Sequence, residues 1–145
     1  MKVYRISAVT LKVKNMKKSC SLYSKIPGFR LTFGGKPSDS FTTFKIGKGT
    51  DATYLNLELI QGYDGRPNDS YNKSTLVKMK RTRDFGRIIF HVENVDELYS
   101  YMKHNEHISK SIIFENEPTN APWGERFIHI REPDGYQLSF AQPLS

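Results

Sequence analysis

Apolar and polar side chains alternate along residues 6–13, as they do in a strand with one buried face. Asn15 then offers a helix N-cap, and Met16, Cys20 and Tyr23 fall on one face of the helix that follows. Pro27-Gly28 ends that helix. Phe29–Phe33, Phe41–Ile46 and residues 53–60 read as three strands, separated by turns at Gly34-Gly35-Lys36-Pro37-Ser38 and Gly47-Lys48-Gly49. The order then returns. Residues 87–92 alternate again, Asn94 caps a helix with Val95, Leu98, Tyr99 and Met102 on one side, and strands are expected at 111–115, 126–131 and 136–141. Pro133-Asp134-Gly135 is a tight turn before the last of them, with glycine supplying the positive φ.

The two halves are copies of one pattern. Ala8-Val9-Thr10-Leu11-Lys12-Val13-Lys14-Asn15 lines up with Arg87-Ile88-Ile89-Phe90-His91-Val92-Glu93-Asn94, and Leu55-Asn56-Leu57-Glu58-Leu59 with Tyr136-Gln137-Leu138-Ser139-Phe140. A repeat of this length implies two similar supersecondary units. Each sheet then needs one face covered by its helix. Val9, Leu11, Val13, Leu55, Leu57, Leu59, Ile88, Phe90, Val92, Leu138 and Phe140 supply that face. Ala8, Thr10, Asn56, Glu58, Arg87, Ile89, His91, Gln137 and Ser139 point the other way, and are too polar for an ordinary core. They are expected to line a cleft.

Composition narrows the class. The 145 residues suit one domain, with module one at 1–60, a polar linker at 61–84 and module two at 85–145. From the short apolar runs no membrane span and no secretory leader is expected, and the single cysteine, Cys20, fits a reducing cytoplasm as a small buried helix residue. The net charge of +7 raises the question of nucleic acid. Its densest stretch, Lys73 to Arg87, has a single aromatic, Phe85, and no legible recognition motif, which argues against that partner. A small anionic ligand accounts for the charge more simply. Gly-x-Ser-x-Gly, a phosphate loop and His-Glu-x-x-His are all missing.

The chain resembles the vicinal oxygen chelate superfamily, which includes glyoxalase I, extradiol dioxygenases and bleomycin-resistance proteins. The resemblance rests on Val13-Lys14-Asn15-Met16-Lys17-Lys18-Ser19 with Tyr23 and Pro27-Gly28-Phe29, on Leu57-Glu58-Leu59, and on Pro122-Trp123-Gly124 leading to Glu132-Pro133-Asp134-Gly135-Tyr136. It implies an α+β fold of two βαβββ modules, a curved mixed sheet around a central cleft, and a homodimer. It also implies metal ligands on the first and last strand of each module, at positions that here hold Ala8, Glu58, Arg87 and Ser139. Only Glu58 is a usual ligand, so no metal and no other cofactor is expected. A displaced site using Glu58, His91 and His129 is opposed by the strand expected between the two histidines.

The leading expectation is therefore a metal-independent protein that binds a small anionic or aromatic molecule through Glu58, Arg87, His91, Trp123, Phe127, His129 and Ser139. Tyr54 is a further candidate wall. The alternative is a lyase, isomerase or dioxygenase with an unusual metal site or with Glu58 as the base.

Overall fold

The computed structural model describes residues 1–60 and 86–145. The linker at 61–84 and the basic run before Arg87 lie outside the described residues. The chain divides into two compact units, Met1–Ser70 and Tyr71–Ser145.

In the first unit the elements follow as β1 (Ala8–Val13), α1 (Met16–Tyr23), β2 (Phe29–Phe33), β3 (Phe41–Ile46) and β4 (Thr53–Leu59), with a single 3-10 turn at Gly49–Asp51 before β4. The sheet order is β1-β4-β3-β2, and only the β1–β4 pair is parallel. Asn15 starts α1 as the spacing predicts: its side chain accepts from the Lys18 N–H. Leu11, Val13, Leu55 and Leu57 are buried on the face that meets α1, together with Met16, Leu22 and the Tyr23–Phe29–Phe44 aromatic cluster. Cys20 is buried, its thiol 3.6 Å from the Thr42 hydroxyl. Burial pushes that thiol's pKa up, against the Thr42 hydrogen bond and with a smaller push from Asp39. Gly34 turns the chain between β2 and β3 at a φ of 71°, where a Cβ would strike the Phe41 carbonyl.

The second unit contains β5 (Arg87–His91), α2 (Val95–His104), α3 (Glu106–Ser109), β6 (Ile113–Phe114), β7 (Thr119–Ala121), β8 (Glu125–Arg131) and β9 (Gln137–Pro143). Its order, β5-β9-β8-β6 with β7 also on β8, repeats that of the first, and β5 again runs parallel to β9. Asn94 caps α2 by accepting from the Glu97 N–H. Asp96 and Glu97 in the first turn and Lys103 and His104 in the last complement the helix dipole. Ile128, Ile130, Leu138 and Phe140 are buried with Val95, Leu98 and Met102. Both sheets are mixed, and the α+β class holds. Among the described residues no helix is long and apolar enough to cross a membrane.

Several boundaries move, each for a local reason. The first strand begins at Ala8 rather than residue 6. Beyond the Ser7 carbonyl, which accepts from the Tyr54 N–H, no backbone pairing among the described residues continues the ladder, and Ile6 is 76% exposed. The strand expected at 111–115 shrinks to two residues because Asn105 caps a short helix ahead of it, accepting from the N–H groups of His107 and Ile108. Strand β7 was not expected, since Thr119-Asn120-Ala121 shows no alternation and lies between two prolines.

The turn between β8 and β9 has a buried carboxylate at its centre. Glu132 is 3% exposed, and its Oε1 accepts from the backbone N–H groups of Asp134 at 2.6 Å and Tyr136 at 3.1 Å. The Glu132 N–H in turn donates to the Tyr136 carbonyl, and Gly135 closes the turn at a φ of 88°. Glu132→Ala leaves two buried donors without that acceptor and is expected to cost about 3 kcal/mol in urea unfolding. Glu132→Gln keeps an acceptor oxygen and is expected to cost about 1 kcal/mol.

Candidate functional site

Strand alternation puts Arg87, Ile89 and His91 on one face of β5, all exposed, with Ile88 and Phe90 on the covered side. The register carries that face across the sheet. Arg87 stands beside Gln137 and then Arg131, Ile89 beside Ser139 and then His129, and His91 beside Ala141 and then Phe127. Residues distant in sequence thus form three short rows on one face of the second unit, with Arg87, Ile89 and His91 exposed and Ser139 and Ala141 buried.

The central row is tied to its neighbour by hydrogen bonds. Arg87 Nη1 lies 3.1 Å from His129 Nε2, and His129 Nδ1 lies 3.1 Å from Ser139 Oγ. A guanidinium has only hydrogens to give, so Nε2 must carry the imidazole lone pair. The ring proton then sits on Nδ1 and donates to the Ser139 hydroxyl. Burial lowers the His129 pKa, the Arg87 charge lowers it further, Glu115 opposes and Arg131 adds to the depression. His129 is a neutral acceptor, anchored also through its backbone N–H to Asn116 Oδ1 at 2.6 Å.

The two arginines of this face differ. Arg131 is paired with Glu115 at 3.2 Å, and Glu115 also accepts from Gln137 at 2.9 Å. Among the described residues Arg87 has no carboxylate partner; its hydrogen bond goes to a neutral ring. The remaining donors of its fork are available to an anion.

Aromatic groups extend from His129. Phe127 lies 4.7 Å from it between ring centroids, and Trp123, in the turn before β8, stacks on Phe127 at 6.3 Å and 19°. Trp123 is 70% exposed, and its indole N–H donates to Glu125 Oε2 at 3.3 Å. The other Glu125 oxygen is 3.5 Å from His91 Nε2.

In the first unit Glu58 lies on the uncovered face of β4, where Lys12 pairs with it at 2.7 Å. Tyr54 is on the same face and half-buried. Beside Glu58, Asn56 donates to Thr10 and accepts from Thr43. Ala8 is exposed and contributes no polar side chain.

Of the residues singled out from the sequence, Arg87, His129 and Ser139 are joined directly, and Trp123 and Phe127 adjoin them. His91 is separated from His129 by β9, as the strand count predicts. Among the described residues no three His, Cys, Asp or Glu side chains stand together as a metal site. Lys12, Glu115, Asn116 and Glu125 were not singled out. Lys12 shares the parity of Thr10, which was the one available signal, whereas the other three depend on pairings that only the fold creates.

Because the folded protein disfavours the His129 imidazolium, the unfolded chain takes that proton more readily. The contribution to stability is complete above the ordinary value of 6.5 and declines as pH falls through and below it. His129→Gln, which retains an acceptor for Arg87, is expected to lose less stability than the native protein between about pH 7.5 and about pH 5 in urea unfolding.

The family model described as Glyoxalase/Bleomycin resistance protein/Dioxygenase superfamily matches residues 5–140. Among solved structures, the chain is similar to a glyoxalase/bleomycin resistance protein/dioxygenase from Nocardioides, at 20% identity and a TM-score of 0.61 over 100% of this chain and 87% of that one. It is similar to a family enzyme from Burkholderia phytofirmans PsJN at 13% identity, with a TM-score of 0.63 over 95% and 98% of the two chains. TioX from Micromonospora sp. ML1 is 15% identical, with a TM-score of 0.61 over 97% and 100%. At these identities the likeness concerns the fold. A search of curated protein sequences gave no match.

Proposed function

The chain belongs to the glyoxalase/bleomycin resistance protein/dioxygenase superfamily, and from that premise we propose that it binds a small anionic molecule without a metal, with Arg87 as the anchor. The observation that carries this reading is the Arg87–His129 hydrogen bond. It fixes a permanent cation on an exposed face while leaving its charge uncompensated by any carboxylate among the described residues. A planar fork held in this way suits a carboxylate or phosphate.

The metal that the family implies does not fit the residues present. At the four corresponding positions, Ala8 has no donor and Arg87 is a cation. Ser139 accepts a hydrogen bond from the His129 ring, and Glu58 is held by Lys12. His129 is no substitute, since one nitrogen accepts from Arg87 and the other carries hydrogen. As a base Glu58 would have to act through its other oxygen, since Oε2 is engaged by the Lys12 ammonium.

Benzoate is a direct probe. Calorimetry at neutral pH is expected to detect binding that weakens at least about tenfold in Arg87→Ala, the loss of a charge-assisted fork. Zn²⁺, Ni²⁺, Mn²⁺ and Fe²⁺ are expected to show no stoichiometric site. One tight metal per chain would overturn the metal-independent reading, and equal benzoate affinity in Arg87→Ala would overturn the anchor.

A further inference from the structure

We propose that the ligand is an elongated aryl acid, lying with its acid group on Arg87 and its rings along His129, Phe127 and Trp123. This rests on the reading of Arg87 as an anion anchor and adds the shape and direction of the molecule it holds.

The argument begins with continuity. His129 touches Arg87 at one edge and Phe127 lies 4.7 Å from it between ring centroids, while Trp123 continues the series a further 6.3 Å on. Trp123 and Phe127 are stacked at an inclination of only 19°, and Phe127 is tilted by 42° against His129, so the rings form a stepped series. An indole that is 70% exposed is an unusual feature for a residue with so much apolar area to bury. Its exposure is not slack. The N–H is held by Glu125, and the ring is stacked on Phe127, so the bare face has a fixed orientation. A pre-set aromatic face of this kind stacks a planar ligand at little conformational cost.

Charge gives the strip a direction. At its Arg87 end the cation has no carboxylate partner among the described residues, whereas at its Trp123 end Glu125 presents a carboxylate shared between the indole N–H and His91. An anionic group is attracted to the first end and repelled from the second. The neutral state of His129 completes the design, since a neutral imidazole lies beside an aromatic ring without the desolvation cost of a cation.

The length of the strip is what the experiment reads. Benzoate seated on Arg87 reaches little beyond His129, while biphenyl-4-carboxylate extends toward Phe127 and Trp123. The expected result is about tenfold tighter binding of biphenyl-4-carboxylate than of benzoate by calorimetry, in line with one added aromatic contact and its buried area. The chain has a single tryptophan, so biphenyl-4-carboxylate is expected to change its fluorescence and benzoate to leave it nearly unchanged. Trp123→Ala, a change at an exposed site whose fold is checked by circular dichroism, is expected to abolish the advantage of the longer acid and to leave benzoate binding intact.

Equal affinity of the two acids, or equal loss of both in Trp123→Ala, overturns the strip while the Arg87 anchor stands. Absence of binding by either acid overturns the anchor and the strip together. Biphenyl-4-methylamine binding as tightly as the acid overturns the direction.

Discussion

Each helix covers one face of one sheet, and that single cover commits every second residue of the long strands. Leu11, Leu55, Leu57, Leu138 and Phe140 are buried because a strand places alternate side chains on opposite sides. The residues between them are thereby released from packing. Asn56 is hydrogen-bonded to Thr10 and Thr43 on the uncovered side of the first sheet, where Lys12 also pairs with Glu58. Arg87, His129 and Ser139 form another on the second. The chemistry of this protein is the remainder left by its core.

What distinguishes the second face is the asymmetry of donors. Histidine can give or accept, and in contact with a guanidinium it has no choice but to accept. That one contact assigns the tautomer, directs the other ring nitrogen toward Ser139, and agrees with a depressed pKa caused by burial and the arginine charge. A metal would need the lone pair that Arg87 already engages.

Much of the fold was legible in the sequence because its signals are local. Asn15 and Asn94 cap the helices that follow them, and the period-two pattern assigns Leu57 and Glu58 to opposite faces, as it does Leu138 and Ser139. The repeat gave the succession of strand, helix and three strands in both halves, α3 and β7 apart, and the closing Glu132-Pro133-Asp134-Gly135-Tyr136 motif pointed to the family. The site was legible only as a list of face residues. Which of them touch depends on register: Lys12 meets Glu58 because β1 and β4 pair in parallel at that offset, and Arg131 meets Glu115 beside a strand of two residues. Short elements such as β7 have too few positions to display a period at all.

The Glu132 turn takes on a different importance once the face is known. Its buried carboxylate fixes the number of residues between β8 and β9, and so fixes His129 opposite Ser139 and Ile130 opposite Leu138. A slip of one residue would exchange the two sides of a strand, sending an imidazole into the apolar layer and an isoleucine out beside Arg87. The turn therefore serves as the index mark of the sheet, the place from which the positions of the open face are counted.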